Sequence, residues 1–103
     1  MINEGYIRRL GVLHALVESH RGTHFGAVSR GQAQLLHGTE CIGFLRLSEW
    51  DEWHPWSVSR PGCRDSDVPH ESLIGALADY QLLRGADAEE ASTLAANMLA
   101  AVL

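Results

Sequence analysis

Two groups of residues have the types and spacing to do chemistry. His20, His24, His37 and Cys41 form two pairs, each separated by three residues, with twelve residues between the pairs. Imidazole nitrogens and a thiolate suit zinc. Each pair flanks a glycine, Gly22 or Gly38, so the four side chains converge only if the two turns are neighbours. Three histidines with one cysteine is an uncommon structural zinc set, and six histidines in 103 residues produce such spacings by chance. The expectation is therefore no metal and no cofactor, with histidines at element ends bonding turns or facing helix C-termini.

The second group is Ser48–Trp56, SEWDEWHPW, which with Trp50, Trp53 and Trp56 holds all three tryptophans of the chain among acids. On a regular strand Trp50 and Trp56 would share one face and Trp53 the other, so a single face cannot bury them all. Pro55 also opposes a long central strand. The segment reads as a hairpin in which Trp50 and Trp56 close the core and Trp53 stands at an exposed tip. Exposed tryptophan anchors dominate many interfaces, and neighbouring acids steer a basic partner. The candidate partner-binding residues are Glu49, Trp50, Asp51, Glu52 and Trp53, with Glu49, Asp51 and Glu52 as steering charges.

Catalytic patterns are poor by comparison. Cys41, Cys63 and the serines near His54 and His70 have no nucleophile-elbow or cysteine-enzyme setting, and no phosphate-cradling glycine loop occurs. Asp65, Asp67 and Glu71 could pair as carboxylates but fit the start of a helix better. No catalytic residue is assigned.

The elements that must position these groups follow from periodicity and caps. Asn3 caps a helix from about Glu4 to His20 with Ile7, Leu10, Leu13, Leu16 and Val17 at helical spacing, and Gly22 ends it. Near the other end, Asp67 and Pro69 open a helix through Leu73, Ile74, Leu77 and Tyr80 that stops at Gly85. Asp87 and Glu90 form a capping box for a last helix carrying Ala91, Leu94, Ala95, Met98, Leu99 and Val102. Between them, THFGAV, QAQLL, CIGFLRL and WSVSR read as four strands, with turns at SRG and at Gly38. Phe25, Ala27, Ala33 and Leu35 then face the core while Gln32 and Gln34 face water.

Residues 29–47 admit a second reading as helix, turn and helix, with Ser29 and Gln32 as a capping box. Through Ser29, Gly31, Ala33, Leu36, Gly38, Phe44 and Leu47 the stretch resembles the helix-turn-helix of small antitoxin-type regulators, which implies an all-α DNA-binding alternative to the strands, compatible with a dimer. Its recognition segment, TECIGFLRL, holds one arginine, Arg46, and an acid, Glu40, whereas groove readers bring several cationic or amide side chains.

Net charge is −5 and uneven: residues 1–48 hold five arginines against three acids, residues 49–103 three against ten. An acidic balance opposes nucleic-acid affinity and suits a basic protein surface. The two cysteines lack CxxC spacing and read as free thiols. No apolar run approaches the roughly 18 residues of a membrane span, and MINEGYIRRL lacks a secretory apolar block, which points to the cytoplasm.

These readings converge on one α+β domain over residues 1–103: an N-terminal helix, a small antiparallel β-meander and a C-terminal αα-hairpin. The expected function is a non-enzymatic protein-binding module, a regulator or inhibitor of a larger partner with a basic surface. Its size and charge are similar to those of proteins that phages and mobile elements use to block host nucleic-acid-binding complexes. No direct specific nucleic-acid or membrane contact is expected, and a homodimer is compatible with this reading. The alternatives are the helix-turn-helix regulator and a histidine-metal protein or small enzyme.

Overall fold

The computed structural model describes residues 3–60 and 67–102. Its elements run α1 (Glu4–Ser19), β1 (Phe25–Ser29), β2 (Gln32–His37), β3 (Glu40–Leu47), β4 (Trp56–Ser59), β5 (Val68–His70), α2 (Leu73–Leu83) and α3 (Ala88–Ala100). The strands form one antiparallel sheet in sequence order. The fold is α+β. The helix-turn-helix reading of residues 29–47 is overturned, because the chain there forms β2 and β3 and, along most of both, alternates between buried and less buried positions. Alternation, a property of pleated backbone, outweighs the weak capping box at Ser29.

Local signals account for most boundaries. The Asn3 side chain accepts from the Tyr6 N–H at 3.1 Å, and His20 closes α1 by donating its backbone N–H to Leu16 and Val17. The Asp87 carboxylate accepts the Glu90 N–H at 2.9 Å and starts α3. Gly22, Gly38 and Gly85 all take positive φ where the chain turns. In the β1–β2 turn both Arg30 (φ 51) and Gly31 (φ 75) do so, the primed geometry that matches strand twist.

The opening of α2 differs from expectation. Asp67 and Pro69 do not begin a helix: Val68–His70 pairs with β4 as a fifth, edge strand, and Ser72 caps α2 by accepting from Gly75. Proline is tolerated there because an edge strand leaves one side of its backbone without a ladder partner. Asp67 pairs instead with Arg46 at 3.3 Å. Asp65 and Cys63 lie outside the described residues.

One sheet face supplies Phe25, Ala33, Leu35, Leu45, Leu47, Trp56 and Val58 to the core, and stripes from the three helices cover it. The α1 helix packs on β1 and β3, α2 on β3 to β5, and α3 on α2. Ala27 is exposed rather than buried, because the β1–β2 register shifts between Phe25 and Val28 and brings Val28 against the core. Ile7, Ile74 and Leu94, placed on core stripes by spacing, are instead largely exposed. Each sits at the margin of its stripe, where an apolar residue reaches solvent without penalty.

Close packing at Gly43 admits no side chain: a Cβ there would lie 2.5 Å from the Ser59 carbonyl oxygen of β4. Gly43→Ala should lower unfolding free energy by about 1–3 kcal/mol, as overpacking against backbone does. Arg30→Gly should raise it by up to about 1 kcal/mol by relieving the left-handed conformation. Denaturant melts of both variants check the pair of opposite signs.

Candidate functional site

The Ser48–Pro55 loop joins β3 to β4 and is held by nested hydrogen bonds rather than by burial. Ser48 Oγ accepts from the backbone N–H groups of Trp50 (3.3 Å) and Asp51 (3.0 Å). Asp51 Oδ1 accepts in turn from Trp53 (3.0 Å) and His54 (2.9 Å). At the neck, the Ser48 N–H donates to the Pro55 carbonyl at 2.7 Å, and Asn3 Nδ2 donates to the Glu49 carbonyl at 3.0 Å. Small oxygen side chains that bind N–H groups two or three residues ahead are the usual means of ordering a polar turn.

This geometry separates the tryptophans differently from the strand-based expectation. Trp56 is core at 4% exposure, paired with Leu47 across the sheet, and Trp53 is 84% exposed. Trp50 is 86% exposed and contributes nothing to the core, which corrects its assignment there. Ser48 is the reason: its hydroxyl bends the chain out of the pleat, so alternation ends at Leu47. Glu49, Asp51 and Glu52 are exposed beside the two indoles, but Asp51 has a second role as the acceptor that organises the tip.

The four metal-ligand candidates do not gather. His20 and His24 are neighbours, with ring centroids 5.4 Å apart. His37 is exposed on the β2–β3 turn, and the Cys41 thiol donates to the Gly43 carbonyl at 3.4 Å. Among the described residues no three His, Cys, Asp or Glu side chains are grouped to hold a metal ion.

The pair takes the role expected of histidines at element ends, with partners that were not visible in the sequence. His20 Nε2 bonds the Met98 carbonyl at 3.0 Å, in the last turn of α3 where that carbonyl has no helical partner. His24 Nδ1 lies 3.1 Å from Arg84 Nη1 and 3.2 Å from the Tyr80 hydroxyl. A guanidinium can only donate, so Nδ1 carries the lone pair and the His24 ring is neutral. The Tyr80 hydroxyl donates its single proton to the Leu36 carbonyl, with the His24 carbonyl 3.3 Å away, fastening α2 to the sheet. Burial, then Arg84 and His20, hold the His24 pKa below its ordinary value, and burial pushes Tyr80 up to about 12. The cluster is a polar fastening between α2 and the sheet.

Two of the serines near histidines are similarly engaged, while the buried Ser59 hydroxyl has no hydrogen-bond partner among the described residues. Ser48 and Ser72 accept N–H groups at turn and helix starts, and neither has a histidine ring as a hydrogen-bond partner among the described residues. His70 Nε2 bonds Asp79 Oδ2 at 3.0 Å and ties β5 to α2. A depression of about 340 Å³ is lined by Asp87, Glu89, Glu90, Thr93 and Leu94 at the start of α3, where acids favour the helix terminus. Comparison with known protein families, with curated proteins and with solved structures finds no match.

Two sets of variants test this division of roles. Trp56→Ala should cost about 3–5 kcal/mol of stability, as loss of a buried aromatic does, while Trp50→Ala and Trp53→Ala should each stay within about 0.5 kcal/mol of the parent. Thermal melts decide this. The fastening predicts a stability plateau with two limits. The unfolded chain takes up a proton on His24 as pH falls through 6.5, whereas the folded chain resists, so stability declines below that pH until the lower folded value is passed. The unfolded chain loses the Tyr80 proton near pH 10 and the folded chain only near 12, so stability declines across that interval. Tyr80→Phe should cost about 1–3 kcal/mol by leaving Leu36 oxygen without its donor, and should abolish the alkaline decline.

Proposed function

We propose that the chain is a small non-enzymatic protein-binding module, a regulator or inhibitor that engages a larger partner with a basic surface through the Ser48–Pro55 loop. The observation that carries this reading is the exposure of Trp50 and Trp53, 86% and 84%, on a loop already ordered by its own hydrogen bonds. Folding gains almost nothing from side chains held in water. Large indoles presented in that way gain their burial when a partner covers them, and pre-ordering reduces the entropy lost on association.

Glu49 and Glu52 supply the charge that favours a basic surface and disfavours phosphates. The reading places the protein in the cytoplasm, where a phage or mobile-element protein directed against a host nucleic-acid-binding complex would act. Among the described residues no helix is long and apolar enough to cross a membrane.

The experiment is capture from native lysate with the intact chain and with the Trp50→Ala/Trp53→Ala double variant, followed by titration of the captured protein. The intact chain should retain a partner that the double variant loses by about tenfold or more in affinity at unchanged melting temperature. Equal retention by both chains would remove the loop from the binding surface.

A further inference from the structure

Among the described residues, Asp51 alone of the three acids in the loop is engaged, through the Trp53 and His54 N–H groups. Glu49 and Glu52 are exposed, and among the described residues neither carboxylate has an ion-pair or hydrogen-bond partner. The indoles of Trp50 and Trp53 likewise have no ring or cation against them among the described residues, where the cation–π contact is that of Arg84 with Tyr80. Two π faces and two carboxylates without partners among the described residues therefore share one ordered turn. That combination asks for a group which is cationic, flat and weakly hydrated.

We infer that the occupant of the Ser48–Pro55 loop is an arginine-bearing protein segment, held by stacking of guanidinium on Trp50 or Trp53 and by the carboxylates of Glu49 and Glu52; this rests on the protein-binding reading above. Arginine meets both halves of the site. Its planar guanidinium stacks on indole and presents paired N–H groups that match a carboxylate. A lysine ammonium matches the charge but is more strongly hydrated and has no plane to stack. A nucleic acid would bring bases to the indoles only by bringing phosphates to the glutamates. An anionic lipid surface meets the same repulsion, whereas a zwitterionic one could receive the indoles alone and is the rival occupant.

The test titrates the full-length chain by calorimetry with a short arginine–glycine repeat peptide and with its lysine–glycine counterpart of equal charge. A third arm follows tryptophan emission on adding phosphatidylcholine vesicles. The arginine peptide should bind about fivefold or more tightly than the lysine peptide. Trp50→Ala/Trp53→Ala should reduce the two peptides to equal, weak binding, and Glu49→Gln/Glu52→Gln should weaken both and flatten their salt dependence, with melting temperatures unchanged throughout. Equal affinities for the two peptides, both lost in the tryptophan double variant, would overturn arginine recognition while leaving the basic-partner reading intact. Peptide binding undiminished by the tryptophan changes would overturn both. Absence of peptide binding, with or without an emission shift on vesicles, would overturn the arginine proposal.

Discussion

A buried phenol has to place its hydroxyl, and much of this fold is arranged around where Tyr80 places its own. The ring is fully buried and stacks with Phe25 at 6.4 Å, joining the core of α2 to β1, while the hydroxyl reaches the carbonyls of Leu36 and His24. The β1–β2 and β2–β3 ladders both shift register close to these residues; the His24 carbonyl takes the Leu36 N–H at 2.9 Å, and the Leu36 carbonyl takes the Tyr80 hydroxyl. An unmet buried carbonyl is expensive, and a side chain from α2 meets it. The position of α2 over the sheet, and with it the seat of α3, follows from this fastening.

Helix C-termini gather around the same residues. His20 is the cap of α1 and bonds the end of α3; Arg84 is the cap of α2 and bonds His24. Each helix leaves unpaired carbonyls and partial negative charge at its end, which histidine and arginine side chains complement. The metal-like spacing of His20 and His24 therefore has a structural use that needs no ion. His37 ends β2 and Cys41 lies in β3, and among the described residues they are not grouped with that pair to hold a metal ion.

The tryptophan loop obeys a different constraint. Its order comes from Ser48 and Asp51 oxygens bound to nearby N–H groups, so its shape is independent of where the indoles go. Trp56, one residue beyond the neck, is committed to the core; Trp50 and Trp53 are not. A loop built this way presents large apolar surface without weakening the domain that carries it.

What the sequence by itself determined were the features governed by neighbours within a few residues: the Asn3 and Asp87 caps, the glycine turns, and the alternation that made β2 and β3 strands. Exposure of Trp53 was legible from the same alternation. Exposure of Trp50 was not, because it depends on Ser48 breaking the pleat, and serine is equally at home in a strand end or a turn. The tertiary structure alone decided that Pro69 lies in an edge strand and that His24 meets Tyr80 and Arg84, partners 56 and 60 residues away. Contacts at that separation are set by how helices seat on the sheet, and no local spacing encodes them.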